Sequence, residues 1–284
     1  MANATTLLKK FNNIKTLPHL AIRLSKMISD DDSSIEEFEE VIKMDPTLVL
    51  RMMRLVNSSF YGLRNKADSI SDALVFLGMK NLRNMIVVEA LKDIFRGGGG
   101  DEELFSKSRL WLHCAAVSIC SQLIAERIFG IKGEDAFLCG ILHDIGLIVE
   151  NQVEPELFLD VCKAAKPDYS TLIQHEKEII GAEHSEIGHL LSVEWKFPLD
   201  VQSGIRDHHK EMKKVDPKSL TGIIQIAEYM VARIDMTVFP GMQGNLSQPL
   251  ILHIRDNIDE YKALGKDLPD EMFKARELYE LESE

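Results

Sequence analysis

The sequence predicts an all-α protein. Apolar residues recur at three- and four-residue spacing along almost the whole chain, and no stretch alternates with a convincing two-residue period. Proline, glycine and short polar residues fall where such helices should begin and end.

Leu20, Leu24, Met27 and Ile28 form one stripe, with Pro18 suited to its first turn. Ile35, Phe38, Val41 and Ile42 form a second, behind Asp30-Asp31-Asp32-Ser33-Ser34, which offers caps and acidic first-turn charge. Asp45 should cap a third helix that starts at Pro46 and runs through Leu48, Met52, Leu55 and Val56. A capped segment at Ser71–Gly78 then leads into Leu82, Met85, Ile86, Val87, Val88 and Leu91, a helix ending near Ile94.

Four successive glycines, Gly97 to Gly100, cannot hold a helix against their backbone entropy, so a flexible joint is expected there. Beyond it, Leu104–Phe129 reads as a long helix closed by Gly130, and Glu134 to about Val149 as one apolar helix. Pro155 starts another that Pro167 stops. Further helices are expected at Tyr169–Ile180, Glu183–Trp195, Leu199–His209 and Leu220 to about Ile234. Two weaker patterns, Leu250–Ala263 and Pro269–Leu281, should be separated by Gly265. The expected division is an N-terminal helical part, 1–96, a second helical part, 101–238, and a tail, 239–284.

A chain of 284 residues can bury a substantial core. Its formal net charge of −12 argues against general nucleic-acid binding, which draws its affinity from Lys and Arg on phosphates. No apolar run approaches the roughly 20 residues of a bilayer span, and Met1–Lys10 lacks the apolar core of a secretory signal, so a cytoplasmic protein is expected. The four cysteines, Cys114, Cys120, Cys139 and Cys162, show no CxxC spacing and read as buried free thiols.

The chemistry concentrates in the histidines. His143-Asp144 lies within an apolar helical run where neither side chain belongs for packing alone. His113 sits on the apolar side of its helix, His184 begins one, His208-His209 end one, and Glu228 lies among Ile224, Ile226, Ala227 and Met230. Helices of a bundle can aim such groups at one centre, and imidazole with carboxylate suits zinc, iron, nickel or manganese. Each has a plainer reading: His143-Asp144 as a mutually satisfied core pair, His113 as a core histidine, His208-His209 as cations at a helix C-terminus. A lone buried carboxylate at Glu228 is harder to explain without a partner. His19, His175, His189 and His253 have no comparable setting.

The order His113, His143-Asp144, His184, His208-His209, Glu228 resembles the HD superfamily of metal-dependent phosphohydrolases, and specifically its HDOD branch of bacterial regulatory proteins. The N-terminal half carries the HDOD likeness in Leu17-Pro18-His19-Leu20, Asp45-Pro46 with Arg51, Arg54-Leu55-Val56-Asn57-Ser58, Phe60-Tyr61-Gly62, Ile70-Ser71-Asp72-Ala73 and Leu77-Gly78 with Leu82-Arg83. Trp111 with His113, Gly140–Gly146, Glu178 with Gly181 and His184, Trp195 with Pro198, and His208-His209 continue it through roughly residues 14 to 235.

The resemblance implies a multihelical HD-like bundle with an N-terminal helical subdomain. It also implies a centre of one or two divalent ions (iron, manganese, zinc or nickel) on His113, His143, Asp144, His184, His208, His209 and Glu228. The chain departs from the related HD-GYP phosphodiesterases: Leu147 follows Gly146 where they usually carry lysine, no Gly-Tyr-Pro tripeptide occurs, and Glu228 replaces the usual aspartate. The expected function is therefore regulatory, with a signalling protein partner or a small nucleotide-like ligand and no efficient catalysis. The alternative is metal-dependent hydrolysis of cyclic or other nucleotides.

Overall fold

A computed structural model describes residues 3–11, 19–29, 34–58, 61, 66–95, 104–165, 169–242, 244 and 246–279. Among them the only regular elements are helices, as the sequence pattern requires: α1 (Ala4–Phe11), α2 (His19–Ser29), α3 (Ile35–Lys43), α4 (Pro46–Val56), α5 (Ile70–Phe95), α6 (Lys107–Leu123), α7 (Glu134–Leu142), α8 (Ile145–Val153), α9 (Pro155–Ala164), α10 (Tyr169–His175), α11 (His184–Glu194), α12 (Leu199–Asp207), α13 (Leu220–Ala232), α14 (Gln248–Asp256) and α15 (Ile258–Tyr279). Two π turns, Ile124–Ile128 and Glu176–Ile180, extend α6 and α10. The glycine run at Gly97–Gly100, Pro18, Pro167 and the Asp30–Ser33 caps lie outside the described residues.

Of the expected caps, the one before α3 falls on Ser34, whereas at the start of α5 Ser69 rather than Ser71 accepts from a first-turn amide, that of Asp72. Ser34 accepts from the Glu37 amide while the Glu37 carboxylate accepts from the Ser34 amide, closing a capping box at α3. Gly78, at φ 77° and ψ 159°, leaves helical geometry and divides α5 into two helical stretches at a kink, a backbone angle glycine takes without strain.

At the centre lies α6, buried on nearly every face; α7 crosses it closely, and α13 and α12 close the same core. The close crossing depends on Gly140, where a Cβ would stand 2.5 Å from the Cα of Ser118. Burial of this one continuous apolar core stabilises the fold at about 25 cal/mol per Å² of apolar surface removed from water. Helices α2, α3 and α4 pack on α5, which joins them to the centre through α7. Lys80 and the fully buried Arg83 both pair with Asp135 in the first turn of α7, at 2.6 and 3.1 Å, and Asn84 donates to the Glu134 carbonyl.

Four expectations need correction. The first helix, α1, was not anticipated; Leu7, Leu8 and Phe11 bury it against α8 and α11, far along the chain. Next, Glu134–Val149 is not one helix: it breaks at His143-Asp144, where Asp144 leaves helical geometry at φ −100°, ψ 10°. The stretch Glu134–Val153 is also apolar and long enough to pass for a membrane span, contrary to expectation, but 89% of its 18-residue apolar window is buried inside the protein. Lastly, Gly265 separates nothing. The break falls at Asn257, and α15 runs on through the exposed Pro269, whose missing N–H removes only the bond to the Gly265 carbonyl.

Candidate metal centre

The break between α7 and α8 builds the centre. On an unbroken helix His143 and Asp144 would diverge by about 100°. The non-helical turn at Asp144 lets both face the space enclosed by α6, α11, α12 and α13. Gly146 makes the approach possible, because a Cβ there would stand 2.0 Å from the His184 carbonyl oxygen. His184 opens α11, His208 caps the C-terminus of α12, and His113 and Glu228 project from α6 and α13.

The seven predicted side chains form two clusters that share one residue. His113, His143, Asp144 and Glu228 make the first, and Asp144, His184, His208 and His209 the second, with the donor atoms of each within 4.8 Å of one another. Asp144 divides its oxygens between them. Its Oδ2 lies 3.5 Å from His113 Nε2 and 3.3 Å from His143 Nε2, and its Oδ1 lies 3.3 Å from His184 Nε2 and 3.4 Å from His208 Nε2. The extra methylene of Glu228 lets its Oε1 come within 3.0 Å of His113 Nε2 and 2.6 Å of His143 Nε2. Of the other histidines, His175 pairs with Glu178, His189 bonds the Gln202 carbonyl, and His253 stacks on Phe129.

The outer ring nitrogens fix the tautomers. Nδ1 of His113, His143 and His208 sits 2.8, 2.7 and 2.6 Å from the carbonyl oxygens of Met236, Gly140 and Ile205. A carbonyl only accepts, so each Nδ1 must donate its hydrogen, and in the neutral ring Nε2 is then a bare lone pair facing inward. His184 is held differently: its Nδ1 lies 2.7 and 2.9 Å from the two Glu176 oxygens, and its backbone amide donates to Glu176 Oε2.

This arrangement fits divalent cations. Lone pairs of four imidazoles aimed at a carboxylate repel it unless positive charge lies between them. Both Asp144 oxygens are buried and accept no hydrogen bond of good geometry. Two ligands at about 2.1 Å from one ion stand roughly 3.0–3.4 Å apart at octahedral or tetrahedral angles. The Nε2 atoms of His113 and His143, and those of His184 and His208, are each 3.3 Å apart.

Without a metal, protons supply the positive charge. Burial disfavours a charged His143, but Asp144 and Glu228 outweigh it and raise its pKa to about 10. His184 is likewise pushed well up against burial, by Glu176 and Asp144. Burial keeps His208 and His209 below the usual imidazole range. The Asp144 and Glu228 carboxyls, opposed by burial, are held well down by the imidazoles around them.

Sequence reasoning missed Glu176. Glu178 is the acidic residue quoted with His184 above, yet it is exposed and pairs with Gln174 and His175. The π turn at Glu176–Ile180 shifts the register of the helix, and Gly181 then turns the chain at φ 101°. A completely buried Glu eight residues before His184 carries no signal in linear spacing.

Leu147, where the resemblance to the HD-GYP phosphodiesterases leads one to expect lysine, is wholly buried in the apolar core. Among known proteins, the chain is 24% identical over 210 residues to a protein of Treponema pallidum, covering 72% of this chain and 39% of that one. It thus spans well under half the length of the curated relatives it matches. A solved structure from Shewanella amazonensis, described as a "Putative phosphohydrolase", superposes with a TM-score of 0.69 at 27% identity over 96% of each chain. An HDOD domain protein from Geobacter sulfurreducens shares the fold, with a TM-score of 0.67 at 22% identity over 93% of this chain and 97% of its own. The HDOD domain family matches residues 14–211, and on that extent, together with the helical architecture around His143 and Asp144, the chain belongs to the HDOD domain family.

Proposed function

We propose that the protein is a metal-bearing regulatory module that binds a signalling partner or a small ligand and does not turn over phosphodiesters efficiently. One observation supports this reading: seven groups able to hold cations gather in two clusters, while Leu147, where the resemblance leads one to expect a phosphate-stabilising lysine, is apolar and buried. The ions, one or two of iron, manganese, zinc or nickel, would be held by His113, His143, Asp144 and Glu228 and by Asp144, His184, His208 and His209. When bound they supply Lewis-acid charge to an oxyanion. The chain's own residues orient the imidazoles through Met236, Gly140, Ile205 and Glu176, and exclude water by burial. Loss of a dedicated charge on the reacting group ordinarily costs about two to three orders of magnitude in rate.

The second reading, phosphoester hydrolysis, is favoured by the sharing of Asp144 between two clusters, a geometry suited to paired ions. Protein purified without chelator, analysed for metal and offered cyclic dinucleotides and a generic phosphodiester, separates the two. Bound metal without turnover supports the regulatory module. Turnover abolished by Asp144→Ala establishes the hydrolase, and protein devoid of metal that gains no stability on adding it refutes both.

A further inference from the structure

The segment beyond the family match reaches the ligand cluster. His208, His209 and Glu228 line a cleft of about 110 Å³, and Ser247, at the start of α14, lines the same cleft. Ser247 is only 4% exposed, and its Oγ is buried with no hydrogen-bond partner. The cost of an unsatisfied buried hydroxyl calls for a reason.

Capping is not the reason. Ser34, Ser106 and Ser219 occupy the same position on α3, α6 and α13, and each accepts a hydrogen bond from the backbone amide three residues on. At α14 the corresponding amide, that of Leu250, is taken by the Ser247 carbonyl instead, and the hydroxyl makes no cap. An O–H donor is thus left at the positive end of a nine-residue helix, on the wall of a cleft that also contains cation ligands.

We propose that this cleft receives a small oxyanion, with one end towards the cations held by His208, His209 and Glu228 and the other accepting a hydrogen bond from Ser247 Oγ. This rests on the metal-bearing reading above. Cation, helix N-terminus and hydroxyl donor all select for negative charge. Two further charges line the cleft and offset one another: Lys210, which is tied to Asp207 at 2.7 Å, and the exposed Glu211. The size of the cleft selects as well. It lies below the roughly 300–1,000 Å³ of pockets that enclose drug-sized ligands. A phosphate-sized group fills it better than the body of a cyclic dinucleotide would.

The test is calorimetric titration of the full chain, loaded with manganese, with inorganic phosphate and separately with a cyclic dinucleotide. Phosphate should bind the wild type, Ser247→Ala should weaken it about 5- to 10-fold with manganese content unchanged, and Ser247→Thr should retain affinity within about twofold. Equal phosphate affinity in Ser247→Ala overturns the proposal while leaving the metal reading intact, as does a cyclic dinucleotide bound as tightly as phosphate. If no manganese binds, the metal reading fails separately. The same titration of metal-free protein then decides the oxyanion site: Ser247-dependent phosphate binding keeps it, and no binding removes it.

Discussion

Glu176 grips His184 twice, taking the ring hydrogen of Nδ1 between its two oxygens at 2.7 and 2.9 Å and the backbone amide at 3.0 Å. The other tautomer-fixed imidazoles, on His113, His143 and His208, lean on neutral carbonyl oxygens. A carboxylate behind an imidazole makes it a stronger ligand, so the cluster containing His184 should fill first. Glu176→Gln keeps an acceptor but removes the charge, and should weaken the tighter of two metal-binding steps about 10- to 100-fold. Calorimetric metal titration reads this directly; an unchanged first step would remove Glu176 from the centre.

Asp144 serves both clusters, so its loss should be felt by both. Asp144→Ala is expected to remove all ions that survive dialysis, whereas Glu228→Ala, which touches only the first cluster, should leave one. Elemental analysis after dialysis distinguishes the two. Retention of two ions by Asp144→Ala would dispose of the shared-carboxylate arrangement.

Metal binding should release protons. His143, with its pKa raised to about 10, holds its proton at neutral pH in the metal-free molecule, His184 is shifted in the same direction, and an ion must displace the protons they hold. Apparent affinity should therefore rise with pH, about tenfold per unit for each displaced proton. Calorimetry in buffers of different ionisation enthalpy counts them, and a pH-independent affinity between 6 and 8 would contradict the protonated starting state.

Asp135 joins α5 to α7 through Lys80 and Arg83. Burial opposes its charge, but these two cations win and hold its carboxyl below the ordinary value. A folded pKa lower than the unfolded one gives stability that is fully present above the unfolded value, near 3.8, and is lost as pH falls through the folded value. Asp135→Asn should cost about 1–2 kcal/mol at pH 7, a figure reduced for the partial exposure of the pair. The difference should vanish at the acid end of a urea-unfolding series. A constant difference across that range would place the effect elsewhere.

Gly146→Ala should destabilise by about 3 kcal/mol or more, because the added carbon meets the backbone of His184 rather than a side chain that can turn aside. Urea unfolding measures the loss, and metal affinity should fall with it. A loss below about 1 kcal/mol would mean that α8 and α11 can separate freely.

Much of this was legible in linear order. The helical period of Leu20 to Ile28, of Ile35 to Ile42 and of the long apolar runs established an all-α chain, since spacing of apolar side chains is a local property. The residue types also singled out His113, His143, Asp144, His184, His208, His209 and Glu228, because polar groups in apolar surroundings need partners wherever they end up. The short helix α1 escaped notice because eight residues carry little periodic signal and its partners lie more than a hundred positions away.

The tertiary structure decided what spacing cannot encode. It opened the helix at Asp144, set one carboxylate between two pairs of imidazoles, and carried α15 past Pro269, all consequences of packing between distant segments. The pairing of Glu176 with His184 and the placing of Ser247 on the same cleft as His208 are of the same kind. Sequence specifies which groups cannot be left alone; only the closing of one helix on another determines which group answers each of them.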